Sequence, residues 1–164
     1  MPYTSTPGYK FAKIYDLTVY PQRQSSVYHG TSLVSKEKCI NQNGLPMRGN
    51  DIDLIKHVEP PAGQGANSAF IGTVYFPESP AYDDFGAATW ADEGGWVYHI
   101  QDWPGYDVNC LLAGRIKDGK GGFRSPHMCG EQEIAIPAMV PRKHILRIGK
   151  VERSRRGLTV TWGK

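Results

Sequence analysis

Glycine and proline interrupt this chain at short intervals and therefore limit the length of any helix or strand. The 164 residues include 19 glycines and 12 prolines, and both residue types break regular backbone structure. The apolar share of 40% and the charged share of 21% are ordinary for a folded protein, so these interruptions indicate turns rather than disorder. The sequence predicts one domain built from short elements.

The first part of the chain predicts an arm, one strand and one helix. Residues 1–26 are polar and predict an N-terminal arm, followed by a domain over residues 27–164. An extended run ends at His29, and Thr31 or Ser32 then has the side-chain oxygen that caps a helix.

The rest of the chain predicts two further helices and several strands. Helical spacing covers residues 51–58, and Pro80 can begin a short helix through about Trp90. Strands and a closing hairpin are predicted at 69–76, 96–100, 131–136, 145–151 and 158–162, and residues 106–122 are predicted to be mostly loop. Helices followed mainly by strands favour the α+β class.

Several functional classes are disfavoured by the composition. The net charge of +3 is too small for a nucleic-acid-binding face, and no apolar run approaches the roughly 20 residues that cross a bilayer. No metal site is predicted, because ligand spacing is lacking among His57, His99, His127 and His144. Paired CxxC spacing is likewise lacking among Cys39, Cys110 and Cys129. The redox state of the three cysteines stays open. We find neither a G-x-S-x-G motif nor a P-loop.

Two positions could carry chemistry. Alternate residues of a strand share a face, so Glu131 and Glu133 would lie side by side and could stabilise a developing positive charge. The alternative is a solvated strand face. His29 ends a strand and precedes Gly30, which permits close approach of a ligand, although a histidine in such a pattern is more often structural.

Four short segments follow one another in a distinctive order: Val27–Ser32, Gly44–Gly49, Asn67–Thr73 and Glu131–Pro137. This order resembles the mono-ADP-ribosyltransferase toxins of the cholera, heat-labile enterotoxin and pertussis type, and the resemblance runs from about Val27 to Val151. It implies two small packed β-sheets around an NAD-type cleft with flanking helices. It also implies a bacterial toxin or virulence effector that is secreted or translocated into a host cell and acts as a glycosyltransferase.

The resemblance assigns roles to individual residues of an altered Arg-Ser-Glu motif. Glu133 matches the catalytic glutamate, which contacts the nicotinamide ribose, and Glu131 matches the glutamate that goes with arginine as acceptor. The family's first-strand arginine is replaced by His29, and its Ser-Thr-Ser strand by Gly72-Thr73-Val74. Arginine offers a fixed fork of donors that histidine lacks, so the altered motif predicts weaker contacts with NAD phosphate.

The diphtheria-toxin and poly-ADP-ribose-polymerase branch of the family is similar in another way, since it begins with Tyr-His-Gly-Thr. This chain has the same residues at 28–31, and the branch implies that His29, Gly30 and Thr31 contact NAD, together with Thr73. Tyr75 would then stack on nicotinamide. The register leaves Ile71 as an alternative at that place, and Tyr75 as an ordinary buried strand residue is a further alternative.

Two hypotheses remain. In the first, the chain transfers ADP-ribose from NAD, used as a substrate without a metal, to a side chain of a host protein. In the second, it keeps the transferase fold without binding NAD productively and acts by binding a peptide or host protein. The sequence leaves open whether NAD is bound or turned over.

Overall fold

The computed structural model describes residues 11–46, 49–63, 67–78, 86–127, 132–137, 139–155 and 157–163. The chain divides into two compact units, each assembled from three separate segments. The first unit consists of the described parts of Met1–Arg23, Met47–Gly72 and Pro104–Ala138. The second consists of the described parts of Gln24–Pro46, Thr73–Trp103 and Met139–Lys164.

The elements are short and mostly extended, which confirms the predicted α+β class. The strands are β1 (Lys13–Ile14), β2 (Leu17–Thr18), β3 (Gln22–Thr31), β4 (Gly44–Leu45), β5 (Phe70–Thr73), β6 (Trp96–Asp107), β7 (Ile116–Lys117), β8 (Phe123–Arg124), β9 (Ile134–Pro137), β10 (Val140–Pro141), β11 (Ile145–Ser154) and β12 (Gly157–Trp162). The helices are α1 (Lys36–Asn41), α2 (Leu54–Val58), α3 (Ala87–Ala91) and α4 (Val108–Leu112), with a 3-10 turn at Arg142–His144. No helix among the described residues is long and apolar enough to cross a membrane.

The first unit has an apolar core centred on aromatic rings. Strand β9 pairs with the last residues of β6 and with β5, while β1–β2 and β7–β8 form two small antiparallel pairs. Ala12 and Ile14, within the predicted arm, are fully buried in this core. The hydroxyl of Tyr106 accepts a hydrogen bond from the Ala12 backbone N–H at 2.9 Å and so ties this segment to the core.

The second unit contains the predicted C-terminal hairpin. Strands β11 and β12 pair antiparallel from Gly149 opposite Trp162 to Ser154 opposite Gly157. The first part of β6 pairs with β11, and β6 also pairs with β3. Helix α3 covers this sheet beside Gly30, where a Cβ would lie 1.8 Å from the carbonyl oxygen of Ala87. Only glycine fits between this helix and β3.

The first helix begins later than predicted, and one predicted strand is shorter than expected. Helix α1 is capped by Ser35, whose hydroxyl accepts from the Lys38 N–H, so the predicted cap at Thr31 or Ser32 is wrong. Thr31 is the last residue of β3, and its hydroxyl accepts from the Leu33 N–H. Strand β5 has four residues rather than the predicted eight, because the chain leaves it after Thr73 and forms a single bridge between Val74 and Tyr28.

The region predicted as loop at 106–122 is more regular than expected. It contains the end of β6, helix α4 and strand β7. Asp107 caps α4 by accepting from the Cys110 N–H at 3.1 Å, a cap that the loop assignment overlooked. The predicted helix near Pro80 appears only as α3, since residues 79–85 lie outside the described residues.

A buried histidine in the second unit makes stability depend on pH. Burial, and then the Arg147 guanidinium, lower the pKa of His99 below its usual 6.5. The Nδ1 atom accepts from Arg147 Nε at 3.2 Å, so the neutral ring carries its proton on Nε2, which lies 2.5 Å from the Ser26 hydroxyl. Tyr28 stacks on the ring at 4.4 Å, and Trp162 lies beside it.

We expect the unit to lose stability as the pH falls below about 6.5, because the unfolded chain then binds a proton that folded His99 does not. Uptake of one proton on unfolding lowers the free energy of unfolding by at most about 1.4 kcal/mol for each pH unit. Denaturant midpoints at pH values from 7.5 to 5.5 measure this loss. His99→Gln should flatten the dependence, and an unchanged slope in this variant would contradict the assignment to His99.

Candidate active site

The most distinctive polar arrangement of the first unit joins His57 to Glu133. His57 lies in α2, and Glu133 immediately precedes β9. The Nε2 atom of His57 lies 2.8 Å from Oε1 of Glu133. The side chain of His57 is 6% exposed and that of Glu133 is 15% exposed, so this contact is largely shielded from water. A charge-assisted hydrogen bond in such surroundings fixes the orientation of the carboxylate.

Ser68 holds the other side of the imidazole. Its Oγ lies 2.6 Å from Nδ1 of His57, and the same hydroxyl accepts from the Phe70 N–H at 3.1 Å. A neutral His57 satisfies both contacts if the Ser68 hydroxyl donates to Nδ1 while Nε2–H donates to Glu133. Three side chains that are distant in sequence therefore form one continuous hydrogen-bonded chain.

Aromatic rings pack against the imidazole of His57 and help to fix its position. The edge of Phe70 meets the His57 ring at a centroid distance of 5.8 Å, and Tyr106 packs on Phe70 at 5.7 Å, both nearly perpendicular. Asp53 caps α2 by accepting from the Lys56 N–H, which fixes the start of the helix that carries His57. The imidazole is thus held by packing as well as by hydrogen bonds.

Serine, histidine and glutamate are also the residue types of a hydrolase triad. Here, however, the serine is the more buried end and the glutamate is the more exposed one. A nucleophilic serine must face the substrate, with the acid behind the histidine. Here Ser68 is 5% exposed, and its hydroxyl already contacts the Phe70 backbone. Glu133 is the more accessible end, so the arrangement presents a carboxylate and not a nucleophilic hydroxyl.

One oxygen of Glu133 remains available to a ligand. Oε1 is bound by His57, whereas Oε2 has no partner among the described residues. The preceding residue, Gln132, has a φ of +50°, a left-handed backbone conformation that costs free energy in a residue with a side chain. Such strain is typical of functional positions, and here it lies next to the carboxylate.

The other predicted site residues are distributed between the two units. His29, Gly30, Thr31, Thr73 and Tyr75 belong to the second unit, and Glu133 belongs to the first. His29, Thr31 and Thr73 are buried, whereas Tyr75 is 41% exposed and follows β5, so it is not the buried strand residue considered as an alternative. Ile71 is 2% exposed. Glu131 and Cys129 lie outside the described residues, and Glu133 precedes its strand instead of lying within it.

His57 and Ser68 were not among the predicted site residues. One sequence feature could have indicated His57: it lies three residues after Leu54, and residues with this spacing share a helix face. Leu54 is fully buried, so His57 is directed toward the interior. The two cysteines within the described residues, Cys39 and Cys110, are free thiols. Among the described residues, no group of three or more acidic, histidine or cysteine side chains is arranged to hold a metal ion.

Comparison with solved structures identifies the fold. The toxin Scabin from Streptomyces scabies, as a single-residue variant, aligns with a TM-score of 0.57 over 90% of this chain and 80% of its own, at 20% identity. A guanine-specific ADP-ribosyltransferase with NADH and GDP aligns with a TM-score of 0.56 over 95% of this chain and 91% of its own, at 18% identity. The chain has an ADP-ribosyltransferase fold.

A third ADP-ribosyltransferase-fold neighbour is Scabin in complex with NADH, which aligns at a TM-score of 0.57 and 19% identity over 90% of this chain and 79% of its own. Two of these three neighbours were thus solved with the dinucleotide. No protein-family model and no curated protein sequence matches this chain.

Proposed function

We propose that this chain is an NAD-dependent ADP-ribosyltransferase with Glu133 as its catalytic carboxylate. One observation carries the proposal: within this fold, a shielded glutamate has one oxygen fixed by His57 and the other available. The family resemblance assigned the same glutamate its role from motif order alone. Geometry and resemblance are independent lines of support.

The chemistry requires a fixed negative charge near the ribose of NAD. The bond between ribose C1′ and the nicotinamide nitrogen breaks, its electron pair leaves with nicotinamide, and positive charge develops on the ribose ring. Oε2 of Glu133 accepts a hydrogen bond from the ribose and stabilises this charge. A nitrogen lone pair of the acceptor then forms the new bond to C1′, and that nitrogen releases a proton to solvent. A carboxylate held before the reaction needs no reorganisation as the charge develops.

His57 and Ser68 act through Glu133. The hydrogen bond from His57 selects the rotamer of the carboxylate and leaves Oε2 directed away from the protein partner. Ser68 in turn fixes the ring orientation of His57. We treat both as positioning residues.

The NAD contacts proposed for the second unit follow the motif that begins at Tyr28. In this proposal His29, Gly30, Thr31 and Thr73 contact the dinucleotide, with His29 in place of the family's arginine. Tyr75 is the proposed nicotinamide-stacking ring, which its 41% exposure supports, while Ile71 is too buried for that role.

The acceptor has two candidate classes. The proposed match of Glu131 to an acceptor-orienting glutamate favours a host protein side chain, arginine in particular. The structural likeness to a guanine-specific ADP-ribosyltransferase favours a guanine base as the second candidate. The likeness to a toxin supports secretion or translocation into a host cell.

Nicotinamide release tests the proposal directly. We expect NAD to bind in a calorimetric titration and nicotinamide to be released, faster with the correct acceptor. Agmatine represents an arginine side chain and GDP represents guanine, and mass spectrometry of each acceptor identifies the product. Neither heat nor release at millimolar NAD, with either acceptor or with host lysate, would overturn the proposal.

A further inference from the structure

A second polar cluster lies in the second unit, on the sheet formed by β3, β6, β11 and β12. We call it the Arg147 cluster; it comprises Ser26, Tyr28, His99, Arg147 and Trp162. The guanidinium carbon of Arg147 lies 3.9 Å above the centre of the Trp162 ring. Its Nε donates to Nδ1 of His99 at 3.2 Å. These two contacts hold the arginine in one orientation.

The terminal Nη donors of Arg147 have no hydrogen-bond partner among the residues that the structure describes. In this part of the chain Arg147 has neither a carboxylate partner nor an acceptor other than His99. The indole N–H of Trp162 and the hydroxyl of Tyr28 likewise have no partner there. All three side chains are half-buried, and the rings of Tyr28 and Trp162 are 6.2 Å apart.

An arrangement of fixed, unused donors is suited to an anion. The two Nη groups of an arginine match two oxygens of a phosphate or a carboxylate. The neighbouring rings of Trp162 and Tyr28, 6.2 Å apart, carry one N–H and one O–H donor in addition, and phosphate has more oxygens to accept from such donors than a carboxylate has. We infer that the Arg147 cluster is a binding site for a phosphate group.

No residue of the Arg147 cluster is among the proposed catalytic or NAD-contacting residues. Neighbouring residues of a strand point to opposite faces of a sheet, so Tyr28 and His29 face opposite sides of β3. The inference therefore does not depend on NAD chemistry.

Titration of the NAD-free protein with inorganic phosphate tests the site. We follow the Nε–H resonance of Arg147 by NMR at constant ionic strength and pH 7.5, with acetate as the carboxylate probe. We expect a saturable shift with phosphate and a much weaker one with acetate. Dimethyl phosphate shows which kind of phosphate group the site prefers. Binding as tight as that of inorganic phosphate indicates a phosphodiester ligand, and weaker binding indicates a phosphate monoester. Either result supports the site.

Matched arginine variants on one strand separate specific binding from general charge. Arg147→Gln should weaken phosphate binding at least about tenfold, as loss of a charge-assisted contact predicts, measured by calorimetry. Arg153→Gln removes an exposed arginine of β11 and should leave binding unchanged. Tyr28→Phe removes only the hydroxyl and should weaken binding severalfold.

Three results would overturn the inference: no saturable shift at millimolar phosphate, acetate bound as tightly as phosphate, or full affinity in Arg147→Gln. Glu133→Gln should retain phosphate binding, so that failure of the proposed enzymatic function leaves this test intact.

Discussion

Replacing Glu133 by glutamine should reduce nicotinamide release at least about a hundredfold, through kcat and with little change in KM for NAD. The amide preserves the size of the side chain and can still accept from His57. It removes the negative charge that opposes the developing charge on the ribose. Because the charge matters mainly in the transition state, binding of the ground-state dinucleotide should persist. Steady-state rates over a range of NAD concentrations, with calorimetric NAD binding, measure both quantities.

A matched control is available in Glu37, an exposed glutamate in the first turn of α1. Glu37→Gln removes the same charge and should leave kcat and KM unchanged. Circular dichroism and thermal melting verify that both variants are folded. If Glu133→Gln turns over NAD at the wild-type rate, Glu133 is not the catalytic carboxylate.

Local patterns in the sequence were sufficient to predict much of the architecture. The hairpin of β11 and β12 follows from alternating apolar residues around an arginine-rich turn, and its register is decided by neighbouring residues alone. The position of α2 follows from apolar spacing, and the structure places it at Leu54–Val58 within the predicted 51–58. The local pattern was insufficient where more than one side chain could cap a helix. Thr31 and Ser35 both have a suitable hydroxyl, but β3 extends through Thr31, so Ser35 caps α1.

The candidate site was only partly predictable because its members meet through tertiary structure. Glu133 could be selected because the order of four short segments along the sequence resembles a known family, and that order can be read without a structure. His57 contacts a residue 11 positions away and another 76 positions away, and no local pattern encodes either distance. The alternative interpretation of Tyr75 as a buried strand residue fails for a similar reason: whether β5 continues past Thr73 depends on the pairing of Val74 with a distant strand.

The second large effect is expected at His57. His57→Asn should lower kcat about ten- to a hundredfold, because a hydrogen bond to a charged group contributes about 1.5–3 kcal/mol and its loss frees the rotation of Glu133. The variant keeps a polar group near Ser68 and so limits the cost of an unsatisfied hydroxyl. Nicotinamide release measures kcat, and calorimetry measures NAD affinity, which we expect to change less than threefold.

A double-mutant cycle distinguishes positioning from a separate structural contribution. If His57 acts only by holding the carboxylate, its replacement has nothing left to disturb once Glu133 is glutamine. The double variant His57→Asn/Glu133→Gln should then be no slower than Glu133→Gln alone, although each single change is large. Additive losses would show that His57 supports activity by another route, through general folding of the unit or by direct contact with substrate. Ser68→Ala should show the same dependence on Glu133 with a smaller single effect, since it acts one hydrogen bond further from the carboxylate.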